Sequence, residues 1–241
     1  MSCLLAIETA TDTCSVAVLQ EQTIVACSTL TRPRAHAENL VPMIQEVLQR
    51  SRVAPSDLDV LAVSAGPGSY TGLRIGVSTA KGLAYAAGAD LVAVSSLEAL
   101  AFQVLPFTRC GDLIGSLFPA RQQEVYLAVY RSTGSDLETV VEPSVHDVEE
   151  PLPLPSASAD VTLWLVGGGV PALTSRLPHA PQRIRLLGQE DITPSAVPVA
   201  RLGLRRWQAG AVEDLALFEP HYLKPFVARK PRRSLFDRRF T

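Results

Sequence analysis

The sequence predicts an α/β protein built from two topologically similar lobes. Three observations carry that expectation. The 241-residue chain opens with three strand-like runs and no helix between them, so the alternative of a single doubly wound sheet, which needs crossover helices, fits less well. Helices and strands then alternate up to about residue 105, and the same order of elements recurs more weakly beyond Pro106. With 47% hydrophobic and 19% charged residues, the composition is that of an ordered globular chain able to bury a sizeable core.

The opening runs are Cys3 to Glu8, Cys14 to Gln20 and Thr23 to Leu30, rich in Val, Ile, Leu and Thr. A short polar segment, Thr9 to Thr13, joins the first two and predicts an antiparallel hairpin. Apolar residues at Leu40, Val41, Ile44, Val47 and Leu48 then follow helical spacing, and Pro42 requires that helix to begin near Asn39 or to kink. Asp59 to Ala65 reads as a buried strand, followed by a Gly-rich turn and a helix over Thr71 to Ala87. A short strand at Leu91 to Val94 leads to a third helix, Ser96 to Val104, with Ser95 or Ser96 as its cap.

In the second half, strand-like runs cover Asp112 to Phe118, Glu124 to Arg131 and Leu137 to Val141. A Pro-rich connector (Pro151, Pro153, Pro155) follows. Then come a strand at Val161 to Val166, the Gly167-Gly168-Gly169 turn, a strand at Arg183 to Leu187 and a helix over Ser195 to Gln208. This repeated order is the layout of the actin-like ATPase (ASKHA) superfold, each lobe a mixed sheet with helices. The expected division is residues 1–105 for the first lobe, residues 106–228 for the second and residues 229–241 for a basic tail.

Several function classes fall away on composition. Cys3, Cys14, Cys27 and Cys110 form no CxxC pair and have no His at metal spacing, so they read as thiols of a reducing cytosol. Glu8 breaks the first apolar run too early for a signal peptide, and Asp90, Ser95, Ser96 and Glu98 break the longest one, so no membrane association is expected. The net charge of −2 is unevenly spread: seven basic residues against Asp237 give +6 from His221 onward, leaving −8 on residues 1–220. Arg229, Lys230, Arg232 and Arg233 of that tail are candidate RNA contacts, the alternative being a solvated extension.

The chemistry-bearing motifs are incomplete. Thr9 and Thr11 lie in the first hairpin turn, where the superfold carries an acid-Gly-Thr turn around a phosphate, but Ala10 takes the place of that Gly. Gly66 and Gly68 open a Gly-rich turn at a helix N-terminus, which reads either as a tight structural turn or as a phosphate-loop remnant, just as Thr9 and Thr11 read either as ordinary turn residues or as part of such a remnant; the glycine spacing fits neither a Walker A loop nor a dinucleotide fingerprint. Gly72, Gly76, Ala80 and Ala84 place a small residue at every fourth position of the next helix. Such a stripe packs closely either on the chain's own sheet or on a partner. His36, His146, His179 and His221 are scattered, and no HxxxH pair or nucleophile elbow is present. No metal site is expected.

The run SAGPGSYTGLRIGVSTAKGLA, Ser64 to Ala84, resembles the signature of the bacterial TsaB (YeaZ) family. LLAIETATDTCSVAVL near the start, HAENLVPMIQEVL at His36 to Leu48, Glu124-Val125-Tyr126 and Pro220-His221-Tyr222-Leu223-Lys224 are similar to the family too. The first 105 residues carry most of the likeness. The resemblance implies an actin-like fold with an incomplete active site, acting as an accessory subunit. Its partners would be a TsaD-like catalytic subunit and a TsaE-like ATPase, in threonylcarbamoyl transfer to the adenosine beside the anticodon of ANN-decoding tRNAs.

By the same resemblance, Ser96 and Leu100 stand where the catalytic paralogue has the two histidines of its metal site. A hydroxyl and a Leu cannot hold a cation there. The chain alone is therefore expected to bind no cofactor, with ATP or ADP confined to the junction with the partner. Family members associate through the first two long helices, which makes His36, Leu40, Ile44 and Val47 on one, with Gly72, Gly76, Ala80 and Ala84 on the other, the interface candidates. A homodimer is the alternative use of that surface. Pro119-Ala120-Arg121 departs from the family's Asp-Ala-Arg, so any role of that Asp is missing. The rival readings are a self-sufficient actin-like transferase or kinase using Glu8 and the Gly-rich turn, and a glycoprotease-like peptidase.

Overall fold

The computed structural model describes residues 2–121, 123–155, 160–173 and 183–224. Strands β1 (Cys3–Glu8), β2 (Thr13–Gln20) and β3 (Thr23–Thr31) are followed by helix α1 (His36–Ser51), β4 (Val60–Gly66), α2 (Tyr70–Ala87), β5 (Asp90–Ser95) and α3 (Ser96–Val104). The second half runs β6 (Leu113–Pro119), β7 (Glu124–Ser132), β8 (Leu137–Asp147), β9 (Thr162–Val166), the short α4 (Val170–Leu173), β10 (Arg183–Leu187) and α5 (Ala196–Gln208).

The two halves make two five-stranded sheets, ordered β3-β2-β1-β4-β5 and β8-β7-β6-β9-β10. Renumbered within each half, the two orders are identical. In both, an antiparallel meander of three strands is extended by two parallel ones, β1 beside β4 and β6 beside β9. Duplicated topology of this kind is the two-lobed actin-like fold the sequence predicts.

Both faces of the first sheet are apolar, as alternation along its strands requires. Leu5, Ile7, Val16, Val18, Leu61 and Val63 face α1 and α2. Leu4, Ala6, Ala17, Leu19, Val60 and Ala62 face the other way, and there the covering element is α5, through Ala196, Val199, Ala200 and Leu204. On the second sheet, Ile114, Ala128, Tyr130 and Trp164 pack with Leu97, Leu100 and Val104 of α3. The division at residue 105 thus separates the sheets but not the packing. Helix α5, from the second half, closes the first lobe, and α3, from the first half, closes the second. Arg206 of α5 ties the two helices by pairing with Glu98 of α3.

Two boundaries differ from the sequence reading. Helix α1 starts at His36 rather than near Asn39 and runs through Pro42, whose exposed position leaves the carbonyl it cannot bond open to water. Strand β8 continues past Val141 to Asp147 despite Pro143. It is an edge strand, and its register with β7 shifts between Leu127 and Val129, opposite Glu142 and Pro143, so no ladder donor is missed.

Candidate functional site

The carboxyl ends of β1, β4 and β6 converge on a cleft of about 300 Å³ between the lobes. Its walls include Ala10, Thr11 and Gly68 from the first lobe, Tyr126 and Gln189 from the second, and the late Tyr222. Tyr222 stacks on Tyr70 with ring centres 4.7 Å apart, and Lys224 pairs with Glu124, so the end of the described chain laces the lobes across the cleft mouth. His221 N–H donates to the Ala65 carbonyl at 2.7 Å. Gly66 lies beneath it at φ +110°, where a Cβ would meet the His221 carbonyl oxygen at 2.7 Å. Both the backbone conformation and the close approach require glycine there.

The hairpin turn and the Gly-rich turn are packed on each other. Ser69 N–H donates to the Ala10 carbonyl at 2.7 Å, and a Cβ on Gly68 would overlap that same carbonyl. Gly72 and Gly76 are pressed on Thr9, the first against its carbonyl and the second against its hydroxyl. Thr9 is fully buried, and its hydroxyl has no hydrogen-bond partner among the described residues. Of the four candidate phosphate-loop residues, then, Thr11 and Gly68 line the cleft, while Thr9 and Gly66 are built into the contact beneath it.

Such a cleft could hold a nucleotide only if backbone N–H groups were free to meet its phosphates. Three of them are committed: Gly66 N–H to Ser96 Oγ at 3.1 Å, Ser69 N–H to Ala10, and Gly72 N–H to Ser69 Oγ at 3.3 Å. In the second lobe, Gly167 N–H donates to Leu187 O and Gly169 N–H to Leu117 O. Ala10 takes the place of the superfold's Gly, and Gly68 and Gly168 line the cleft from the two lobes.

Glu8, at the end of β1, is 1% exposed. Burial pushes its carboxyl up to about 7, against the opposing effect of donors from Ala10, Ser64 and Thr9. The Ala10 N–H bond, at 2.6 Å, folds the hairpin turn back onto the carboxylate. No cation faces it from among these partners, so Glu8 is a buried acid of the turn rather than one presented to the cleft.

The helix-stripe expectation needs correction. Gly72, Gly76, Ala80 and Ala84 are all buried against the first lobe's own sheet and turn, as are His36, Leu40, Ile44 and Val47. His36 Nε2 lies 3.1 Å from the Thr13 carbonyl. None of the eight is available to a partner. The outward faces of the same helices carry Val41, 50% exposed, and Tyr85, 83% exposed, together with Ser78 and Gly82. A Cβ on Gly82 would meet nothing within 4 Å. The remaining histidines are scattered as expected, His146 buried on β8 and His221 in the lacing segment. His179 lies outside the described residues, as do Arg229, Lys230, Arg232 and Arg233 of the tail.

The sequence profile of TsaD, tRNA N6-adenosine threonylcarbamoyltransferase, matches residues 24–224. YeaZ from Pseudomonas aeruginosa superposes with a TM-score of 0.81 at 30% identity, over 92% of this chain and 100% of that one. The chain belongs to the YeaZ (TsaB) family. Two curated relatives are each named tRNA threonylcarbamoyladenosine biosynthesis protein TsaB. That of Bacillus subtilis (strain 168) is 39% identical over 138 residues, covering 57% of this chain and 59% of the relative. That of Escherichia coli (strain K12) is 36% identical over 148 residues, covering 59% and 63%. The chain therefore spans about six-tenths of the length of these TsaB relatives.

The TsaB resemblance gives meaning to two α3 residues. Ser96 and Leu100, which the resemblance sets against the paralogue's metal ligands, are each committed to a structural contact. Ser96 Oγ takes the Gly66 N–H described above. Leu100, 1% exposed, packs where a Cβ on Gly167 would reach its Cδ2 at 2.6 Å. The cleft residues Tyr70 and Tyr222 were both visible within quoted motifs, but no sequence spacing joins two rings 152 positions apart.

Proposed function

We propose that this chain is a non-catalytic accessory subunit in the biosynthesis of tRNA threonylcarbamoyladenosine. It pairs with a TsaD-like catalytic subunit, works with a TsaE-like ATPase, and meets tRNA through the assembled complex in the cytosol. The observation that carries this reading is the pair on α3: a hydroxyl holding the Gly66 amide and a Leu in the apolar core stand where the resemblance implies the paralogue's two metal ligands. Two histidines at i and i+4 could share a cation from one helix face; this pair cannot. Nucleotide, where it takes part, belongs at the junction with the partner.

The partner surface is the outward side of α1 and α2, with Val41, Ser78, Gly82 and Tyr85 at its centre. A homodimer through that side would be displaced by the TsaD-like subunit. Reconstitution tests the proposal. Tagged chain should retain a TsaD-like subunit from a bacterial lysate, identified by mass spectrometry, and with an activated threonylcarbamoyl donor supplied, threonylcarbamoyladenosine should form on tRNA only when both subunits and the ATPase are present. ATP turnover or tRNA modification by the purified chain alone would overturn the accessory role.

A further inference from the structure

A second pocket, of about 360 Å³, opens on the second lobe away from the cleft. Its wall includes Phe107, Arg109, Asp112, Trp164, Arg183 and Arg185. Arg183 and Arg185 alternate on β10 opposite Thr162 and Trp164 of β9, so both arginines rise from the same side of the sheet. The Arg185 guanidinium lies over the Trp164 ring, 5.2 Å from its centre. The indole is fixed in turn, its Nε1–H donating to Asp112 Oδ2 at 3.3 Å.

The charge balance of this pocket is unequal. Asp112 is its one acid, 5% exposed, and its two oxygens already accept from the Arg109 amide at 2.9 Å, the Thr162 amide at 3.0 Å and the indole. The carboxylate is thus spent on holding the loop and β9. Among the described residues none of the three guanidinium groups enters an ion pair, and all three arginines are exposed. Phe107, at the rim, is 73% exposed, an aromatic face that nothing in the described fold covers.

Three guanidinium groups with no ion pair among the described residues suit phosphates. An open aromatic ring beside them suits a base, because stacking on Phe is open to any base with a free face. An acidic protein surface would use the charges and leave Phe107 without a role. We propose that this pocket is a contact site for single-stranded RNA, with Arg109, Arg183 and Arg185 on the phosphates and a base stacked on Phe107. The choice of RNA rests on the pathway proposed above; the phosphate-and-base chemistry rests on the pocket alone.

The test uses the full chain and two probes, a fluorescent oligouridylate and inorganic polyphosphate, titrated over a salt series. The double variant Arg183→Gln, Arg185→Gln should bind oligouridylate about tenfold or more weakly and reduce the slope of log affinity against log salt by about 1.4, two single-strand contacts of about 0.7 each. Phe107→Ala should weaken oligouridylate binding by about tenfold through lost stacking and leave polyphosphate binding unchanged. Arg183→Lys with Arg185→Lys, which keeps the charge, should restore most of the salt slope, and circular dichroism melts of every variant establish that it is folded. Unchanged RNA affinity in folded variants would overturn the proposal. So would an equal loss for both probes on Phe107→Ala, or tighter binding of polyglutamate than of RNA, which would mark an acidic-protein surface. Because binding is measured on the chain alone, its failure leaves retention of the TsaD-like subunit to be judged separately.

Discussion

Glu8 shows what a single buried group adds to a fold that is otherwise apolar. Its folded carboxyl, at about 7, lies above its ordinary value of 4.5 because burial penalises the charged form. Between those two values the folded chain holds a proton that the unfolded chain has released, so stability falls as pH rises through this window. The loss by pH 8 is on the order of 3 kcal/mol. Glu8→Gln removes the titration, so urea midpoints of the variant should drop less than wild type between pH 5 and pH 8. Parallel pH dependences would mean that Glu8 is ionised throughout. At this scale the sequence was half legible. The acid and the threonines of the first turn are visible there, but their fates depend on Gly72 and Gly76, more than sixty residues away, which close over Thr9, while Ala10, Thr11 and Asp12 line the cleft.

Element by element, periodicity locates every strand and long helix among the described residues, because burial on one or both faces writes itself into apolar spacing. It could not say what each face meets. Four small residues at i, i+4 spacing on α2 signalled close approach, and they do approach closely, but to Thr9 and the sheet rather than to another subunit. Only three-dimensional placement separates the two uses. The consequence is a pair of opposite substitutions on one helix. Ala80, 0% exposed, should not tolerate Arg: an unpaired charge in the first lobe's core costs several kcal/mol or about that, enough to unfold a domain of ordinary stability. Gly82→Arg has open space around it and should melt within a few degrees of wild type. In sedimentation with the TsaD-like subunit, the Gly82 variant should remain a folded species that pairs about a hundredfold more weakly, or not at all. A folded Gly82→Arg chain that pairs normally would move the partner surface off α2.

At the scale of the whole molecule, the repeated order of elements made the two lobes visible, whereas the exchange of their covering helices left no trace in the sequence order. Helix α5 is amphipathic and reads equally well as a cover for the sheet that precedes it, yet its apolar face lies on β1, β2 and β4, about 180 residues back along the chain in the Ala196 N–H bond to Ser15 Oγ. The lobes are therefore not independent folding units. A fragment ending at residue 105 would keep α1 and α2 on one face of its sheet and leave Leu4, Ala6, Leu19, Val60, Ala62 and Val92 bare on the other, while α3 would lose the second sheet it covers. Exposed apolar area of that extent, at roughly 25 cal/mol per Å², removes more free energy than a small domain has to spare. The fragment 1–105 should bind a hydrophobic dye, lack a cooperative melt and aggregate. Adding a peptide of residues 190–224, which carries α5 and the segment that donates His221 N–H to Ala65, should restore part of the cooperativity and reduce dye binding. The intact chain should melt in one transition by both near- and far-ultraviolet circular dichroism. Two separate transitions, or a well-folded 1–105 fragment, would show that α3 and α5 cover the sheets without coupling the lobes.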